Sequence, residues 1–258
     1  MIPDGVTSIG DQAFKMCINL SSITIPDGLA SIGSEFFSEC RSLTSFTIPD
    51  GVASIGREAF TGCTSLGTIT IPDSVTSIGS NAFRECRTLT SITIPDGVTR
   101  IGPGAFWNCN NLTSIIIPDG VTRIENSTFY YCSNLTGITI PDGVTSIGYS
   151  AFFSCYKLGN MAIPDSVTNI DNDAFRYCRS LTSITIPDAV TSIGDWAFAE
   201  CWNLKSITFK GAAPTVEAGS FPSFFGIPEG ATAYVQERFV HSFGAVGSNW
   251  NGLILNLD

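Results

Sequence analysis

The chain has 258 residues, 43% of them hydrophobic and 14% charged, enough apolar material for a core and too little charge for a disordered chain. Thirteen basic against 23 acidic residues give a net charge of −10, with no basic groove of the kind a nucleic-acid binder needs. His241 is the single histidine, so general-base catalysis and imidazole-held zinc lack their commonest side chain, and no apolar run reaches the roughly 20 residues of a membrane-spanning helix.

The chain opens on Ile2-Pro3-Asp4-Gly5, and Ile-Pro-Asp returns every 23 residues as Ile25-Pro26-Asp27, Ile48-Pro49-Asp50 and so on to Ile186-Pro187-Asp188. Nine units run without insertion to Thr208 on the pattern I-P-D-G-V-T-S-I-G-x-x-A-F-x-x-C-x-x-L-T-S-I-T. A fixed period of this length predicts a solenoid in which each unit winds once and stacks on its predecessor. Within a unit, Leu89, Ile92 and Ile94 read as inward positions of a strand, which Pro95-Asp96-Gly97 ends with turn chemistry. Val98 and Ile101 line a second extended side. Phe106 and Cys109, three apart, predict a short helical or 3-10 turn that aims both inward and leaves Trp107 and Asn110 outward. One coil cannot offset the backbone entropy of 23 residues, so stability belongs to the stack. At about 4.8 Å per strand, nine coils make a right-handed rod or arc of roughly 43 Å.

These residues carry a resemblance. Leu89-Thr90-Ser91-Ile92-Thr93-Ile94-Pro95, followed by Val98, Ile101, Gly102, Ala105, Phe106 and Cys109, resembles the BspA-like leucine-rich-repeat family, whose units read L-x-x-I-x-I-P, V-x-x-I-G and A-F-x-x-C. The resemblance implies a β-rich leucine-rich-repeat solenoid of a cell-surface or secreted adhesin that engages host, matrix or other cell-surface proteins. It implies no cofactor and no enzymatic activity.

The first unit lacks its own L-x-x-I-x strand start, and reads either as a fragment of a longer repeat protein or as an uncapped N-terminal coil that self-associates. After Thr208 the period fails at Phe209-Lys210-Gly211. Ala231 to Val235 predicts a strand, Phe239 and Phe243 a short helical pattern, and Trp250 with Leu253-Ile254-Leu255 follows. Residues 1–208 therefore read as the solenoid and 209–258 as a C-terminal capping segment.

All nine cysteines, Cys17 to Cys201, share one repeat position. Parallel Cβ vectors about 5 Å apart do not meet disulfide geometry, so nine buried free thiols are expected. Nine of the 23 acids are the Asp of Ile-Pro-Asp. This ladder is expected to be held by Asp side chains accepting turn N–H groups, with calcium as the alternative and no other metal. Asn-x-Ser/Thr sequons at Asn19, Asn111, Asn126 and Asn134 follow mostly from the repeat itself.

Ligand-specific residues belong where the units differ and point outward, beside A-F and C. That strip holds five of the six tyrosines and three of the four tryptophans: Trp107, Tyr130, Tyr131, Tyr149, Tyr156, Tyr177, Trp196 and Trp202, with Phe153 among them. Arg84 with Arg87 and Arg176 with Arg179 join as i,i+3 pairs. Aromatic and Arg side chains concentrate in binding surfaces, which predicts a non-enzymatic module for a protein or glycan ligand; the bland reading is aromatic cover for neighbouring coils, a scaffold without its own ligand. The repeated Ser/Thr-x-Thr of the main strand, as in Thr68-Ile69-Thr70, suggests ice binding as a remote alternative.

Overall fold

The computed structural model describes residues 2–216 and 223–258; Met1 and residues 217–222, the latter inside the predicted C-terminal segment, lie outside the described residues. The chain winds as a parallel β-solenoid whose rungs repeat at the 23-residue period. One ladder is built from the strand start of each unit, including Ser45–Thr47, Thr68–Thr70, Ser114–Ile116 and Gly137–Thr139. Its register pairs Phe46 with Ile69 and Ile115 with Ile138. Alternation puts the central apolar residue inside and its Ser or Thr neighbours outside, as the period-2 geometry of a strand requires; Thr68–Thr70, for example, is exposed, buried, exposed. This ladder falls into separate pieces, so its outward threonines do not form one continuous flat array.

The second extended side forms as predicted. Two-residue strands such as Ser54–Ile55, Ser77–Ile78 and Arg100–Ile101 pair in parallel and bury their isoleucines. Here the consensus glycine matters sterically. A Cβ on Gly79 would lie 2.6 Å from the Gly56 carbonyl carbon, and one on Gly102 2.6 Å from the Ser80 nitrogen, so backbone packs on backbone where no side chain fits.

The third side departs from expectation. Phe106 and Cys109 both point inward and are fully buried, yet the segment is a run of turns without a helical or 3-10 stretch. Alternate N–H groups leave the coil: Gly104, Phe106 and Asn108 donate to the carbonyls of Asn126, Thr128 and Tyr130 in the next coil at 2.9, 2.9 and 2.7 Å. The residues between them, Ala105, Trp107 and Cys109, donate three positions back within their own coil. Helical bonding would keep those N–H groups inside the coil and forfeit the third inter-coil ladder. The alternation is reached through left-handed residues: Gly104 has φ +66° and Asn108 φ +60°, with Asn81 and Glu85 their counterparts one coil earlier. Short helical structure is confined, among the described residues, to Glu237–Phe239 and Val240–Phe243.

The interior is columnar. Phe60, Phe83, Phe106, Phe129, Phe152, Phe175 and Phe198 stack ring on ring at 5.2 to 5.6 Å, their planes within 10°. Beside them runs a file of sulfur atoms. Each Sγ from Cys40 to Cys201 donates to the phenylalanine carbonyl of the coil before, for example Cys109 to Phe83 O at 3.1 Å and Cys132 to Phe106 O at 3.1 Å. All nine cysteines are free thiols, and eight are buried. Cys17 corrects the expectation of nine: it is exposed, since among the described residues the first coil is covered on one side only. Burial pushes the Cys40 thiol up to about 11 and the Cys109 and Cys201 thiols up to about 12, and raises the Cys63, Cys86, Cys132, Cys155 and Cys178 thiols as well. The adjacent backbone N–H of the previous cysteine opposes this without cancelling it. A thiol reagent at pH 8 is therefore expected to modify one sulfhydryl, Cys17, in the native protein and all nine after denaturation; rapid native labelling of several would contradict the buried file.

The aspartate ladder also differs from expectation. The Pro-Asp-Gly-Val turn is closed by main chain, as in Val98 N–H to Pro95 O at 3.0 Å. Asp96 occupies the second turn position, from which its carboxylate cannot take the bond that an Asx residue takes from the first. All nine carboxylates are exposed, and one, Asp165, is held by Lys210 Nζ at 2.9 Å. Among the described residues no three His, Cys, Asp or Glu side chains gather to hold a metal ion.

Past Thr208 the first ladder continues. Ser206–Phe209 pairs with Ser183–Ile186, then with Thr232–Val235, which in turn pairs with Leu253–Leu257; Asn249–Trp250 folds back antiparallel on the last strand. Phe209, Phe224, Phe243 and Trp250 form an aromatic cluster beneath these strands, with ring centroids 5.0 to 6.0 Å apart.

Candidate functional site, an aromatic and arginine strip

The outward residues of the third side fall into columns because equivalent positions stack coil on coil. The residue after each inward phenylalanine gives the column Arg84, Trp107, Tyr130, Phe153, Arg176. The Arg84 guanidinium lies 4.7 Å from the Trp107 ring, Trp107 is 4.4 Å from Tyr130, and Tyr130 stacks on Phe153 at 4.7 Å and 6°. Arg176 closes the column, 5.8 Å from Phe153 and 4.1 Å from Trp196. The residue after each cysteine gives a second column, in which Arg179 sits between Tyr156 at 4.8 Å and Trp202 at 3.9 Å. Tyr131 and Tyr177 bridge the two: Tyr131 lies 5.0 Å from Tyr130 and 6.2 Å from Tyr156, and Tyr177 lies 5.4 Å from Phe153 and 5.7 Å from Arg179. Such ring and cation–π contacts each contribute about 0.5 to 1.5 kcal/mol.

Three of the four arginines of the strip are ion-paired. Arg176 Nη1 bonds Asp173 Oδ1 at 3.0 Å, Arg87 Nη2 bonds Glu85 Oε2 at 2.9 Å, and Arg84 Nε stands 3.7 Å from Glu85 Oε1. Glu85 thus joins Arg84 and Arg87 across the two columns, while Arg176 and Arg179, which fall in the same two columns, both lie over the Tyr177 ring, at 5.0 and 5.7 Å. Trp202 Nε1 donates to Glu200 Oε2 at 2.6 Å, and Trp196 meets Phe225 of the C-terminal segment edge-on at 5.4 Å. Burial, then the neighbouring phenols, raise the pKa of Tyr130 and Tyr131. Buried Arg176 Nε, Arg179 Nε, Asn110 Oδ1 and Asp195 Oδ1 have no hydrogen-bond partner among the described residues.

Exposure divides the strip. Trp107, Tyr130, Phe153, Tyr156, Tyr177 and Trp196 are half-buried, so mutual stacking consumes much of their surface. Tyr131, Tyr149 and Trp202 stand out at 37, 48 and 50% exposed. Tyr131, Tyr177 and Trp196 also adopt left-handed backbone, at φ +58°, +63° and +58°, where bulky residues are rare. The acidic partners Glu85, Asp173 and Glu200 and the added ring of Phe225 were not part of the sequence reading. The recurrence of Asn, Gly and Glu at the left-handed columns was the signal available for them, since those positions turn side chains outward.

The parallel solenoid, its phenylalanine and cysteine files and its outward aromatic strip define a leucine-rich-repeat protein. The six-copy profile of the BspA-type leucine-rich-repeat region matches twice, over residues 1–113 and 99–224, and the chain belongs to that family. Among solved structures it is similar to a leucine-rich repeat protein from Bacteroides ovatus, at 29% identity and TM-score 0.64, covering 92% of this chain and 71% of that one. It is also similar to a leucine-rich cell surface protein from Faecalibacterium prausnitzii, at 33% identity and TM-score 0.46 over 79% and 69% of the two chains. The pneumococcal vaccine antigen PcpA shares the fold at 18% identity and TM-score 0.54, over 92% and 79%. No curated protein matches the chain.

Proposed function

We propose that the chain is a non-enzymatic binding module of a cell-surface or secreted protein, and that it contacts a protein or glycan ligand through the aromatic and arginine strip. The observation that carries this reading is the continuous run from Arg84 to Trp202 on one side of the solenoid, with Tyr131, Tyr149 and Trp202 left exposed. Stacking fixes the rings before a ligand arrives, which lowers the entropy lost on binding. Family membership supports the surface location. Residues 209–258 serve as the cap: their strands continue the ladder and their aromatic cluster covers apolar surface of the last coil.

The half-burial of the stacked rings favours a second reading, a scaffold whose aromatics only join coils. One experiment separates the two. Tyr131→Ala/Tyr149→Ala/Trp202→Ala removes exposed rings, while Tyr130→Ala/Phe153→Ala cuts the stack. In pull-downs against a panel of extracellular-matrix proteins and glycans, the exposed triple variant should lose at least tenfold in capture while still folding, its melting temperature lowered only by the ring and cation–π contacts of Tyr131 and Trp202, each worth about 0.5 to 1.5 kcal/mol. The stack variant should melt lower. Capture unchanged by the triple variant would favour the scaffold.

A further inference from the structure

Between the second and the ninth coil, the second ladder has one open rung. In the other coils from the second to the ninth, a main-chain bond joins the Thr or Ala position to its counterpart, as in Thr99 N–H to Thr76 O and Thr145 N–H to Thr122 O, and another joins the glycine position to the isoleucine of the preceding coil, as in Gly102 N–H to Ile78 O and Gly148 N–H to Ile124 O. Neither forms between Thr122 and Thr99 or between Glu125 and Ile101 among the described residues. The sheet accordingly divides into one part ending at Arg100–Ile101 and another beginning at Arg123–Ile124.

Two departures from the repeat meet at this rung. The outward position of the ladder is Ser31, Ser54, Ser77, Ser146, Asn169 and Ser192 in other coils, but arginine at 100 and 123. Like charges on adjacent strands repel. Glu125 stands where the repeat has the steric glycine. Asp171 also replaces that glycine and keeps its bond to Ile147 O at 2.9 Å, so a Cβ alone does not open a rung; at 125 it coincides with the arginine pair.

At this rung lies a cleft of about 230 Å³ lined by Thr99, Arg100, Ile101, Val121, Thr122, Arg123 and Glu125. It is smaller than the roughly 300–1,000 Å³ of sites for drug-sized ligands, which suits one small charged group. Both arginines are exposed, and neither joins an ion pair among the described residues, whereas Arg41, Arg57, Arg84, Arg87 and Arg176 all do. Forked guanidinium donors match oxyanion geometry, and the Glu125 carboxylate beside them accepts hydroxyl donors. We propose that this cleft binds an oxyanion carried on a saccharide, a sulfate ester or a carboxylate, with the Arg100 and Arg123 guanidinia clasping the anion and Glu125 taking a neighbouring sugar hydroxyl. The site is separate from the aromatic strip and does not depend on it.

The test uses the full chain and immobilised dextran sulfate, with uncharged dextran and inorganic sulfate as the other arms. Arg100→Ser/Arg123→Ser installs the residue most coils carry, and is expected to fold and to lose at least tenfold in affinity for dextran sulfate. Arg41→Ser/Arg57→Ser makes the same change in net charge at ion-paired arginines and should stay within twofold of the parent. Glu125→Gly restores the repeat and should weaken binding, although removing an acid would strengthen any binding driven by overall charge. The proposal is overturned by equal losses in the two arginine pairs, by tighter binding in Glu125→Gly, or by equal retention on dextran. Stabilisation by inorganic sulfate without retention on dextran sulfate would overturn the saccharide assignment. Because Arg100, Arg123 and Glu125 lie outside the strip, failure at this cleft leaves the matrix and glycan pull-downs to stand or fall by themselves.

Discussion

Raising the pH from 8 to 10 is expected to unfold the solenoid cooperatively. The interior file keeps its thiols protonated, with Cys109 and Cys201 pushed up to about 12 by burial and Cys63, Cys86, Cys132, Cys155 and Cys178 raised in the same way. In the unfolded chain each returns to its ordinary value of 9.0. Between those limits the unfolded state has released protons that the folded state still holds, so stability falls as pH rises; below 9 the contribution is fully present. Each thiol costs about 1.4 kcal/mol per pH unit in that window. The seven together approach roughly 10 kcal/mol per unit, comparable to the whole stability of a domain, about 5–15 kcal/mol. Raised phenol pKa values at Tyr130 and Tyr131 act with the same sign at higher pH. Guanidinium unfolding at pH 8, 9, 9.5 and 10 should show a steepening loss of midpoint above 9, and Cys132→Ala should lessen the slope by about one thiol's share. A flat profile to pH 10 would mean the sulfurs are not buried as a file.

The coil was legible because its determinants are local and repeated nine times. Isoleucines at period 2, a Pro-Asp-Gly turn and a cysteine column each announce where a side chain goes, and the inward directions of Leu89, Ile92, Val98, Ile101, Phe106 and Cys109 follow. What the sequence concealed is how the backbone reaches those directions. Spacing of three between Phe106 and Cys109 fits a helical turn, and it fits equally an alternation of internal and inter-coil bonds; the glycine and asparagine at 104, 81 and 108 marked left-handed backbone, whose meaning depends on a neighbouring coil that no single unit contains. The strip was legible as a composition but not as a geometry. Sequence spacing paired Arg84 with Arg87 and Arg176 with Arg179, but not what joins each pair across the two columns, the Glu85 carboxylate for the first and the Tyr177 ring for the second. Departures from a strict repeat carried the remaining information: Arg100, Arg123 and Glu125 each look unremarkable alone, and matter because they fall on one rung.

Replacing Phe106 with alanine, as with any ring of the central phenylalanine file, should produce a large loss of stability. The ring is fully buried and lies 5.6 Å from both Phe83 and Phe129, nearly parallel to each. Truncation of a buried Phe typically costs about 3–5 kcal/mol in lost transfer energy and cavity, and here two ring contacts go with it, each worth about 0.5–1.5 kcal/mol. The cavity cannot collapse easily, because the coils above and below are held at fixed spacing by hydrogen bonds on the third side, among them Phe106 N–H to Thr128 O and Phe83 N–H to Ala105 O. A one-dimensional stack makes a further demand. Coupling passes between adjacent coils only, so Phe106→Ala and Phe129→Ala, which share a contact, should combine with an interaction energy of at least about 0.5 kcal/mol, while Phe60→Ala and Phe175→Ala, five coils apart, should add within about 0.3–0.5 kcal/mol. Denaturant melts of the four single and two double variants measure both quantities. If the distant pair couples as strongly as the adjacent one, the core behaves as a single cooperative body and the nearest-neighbour account of this solenoid fails.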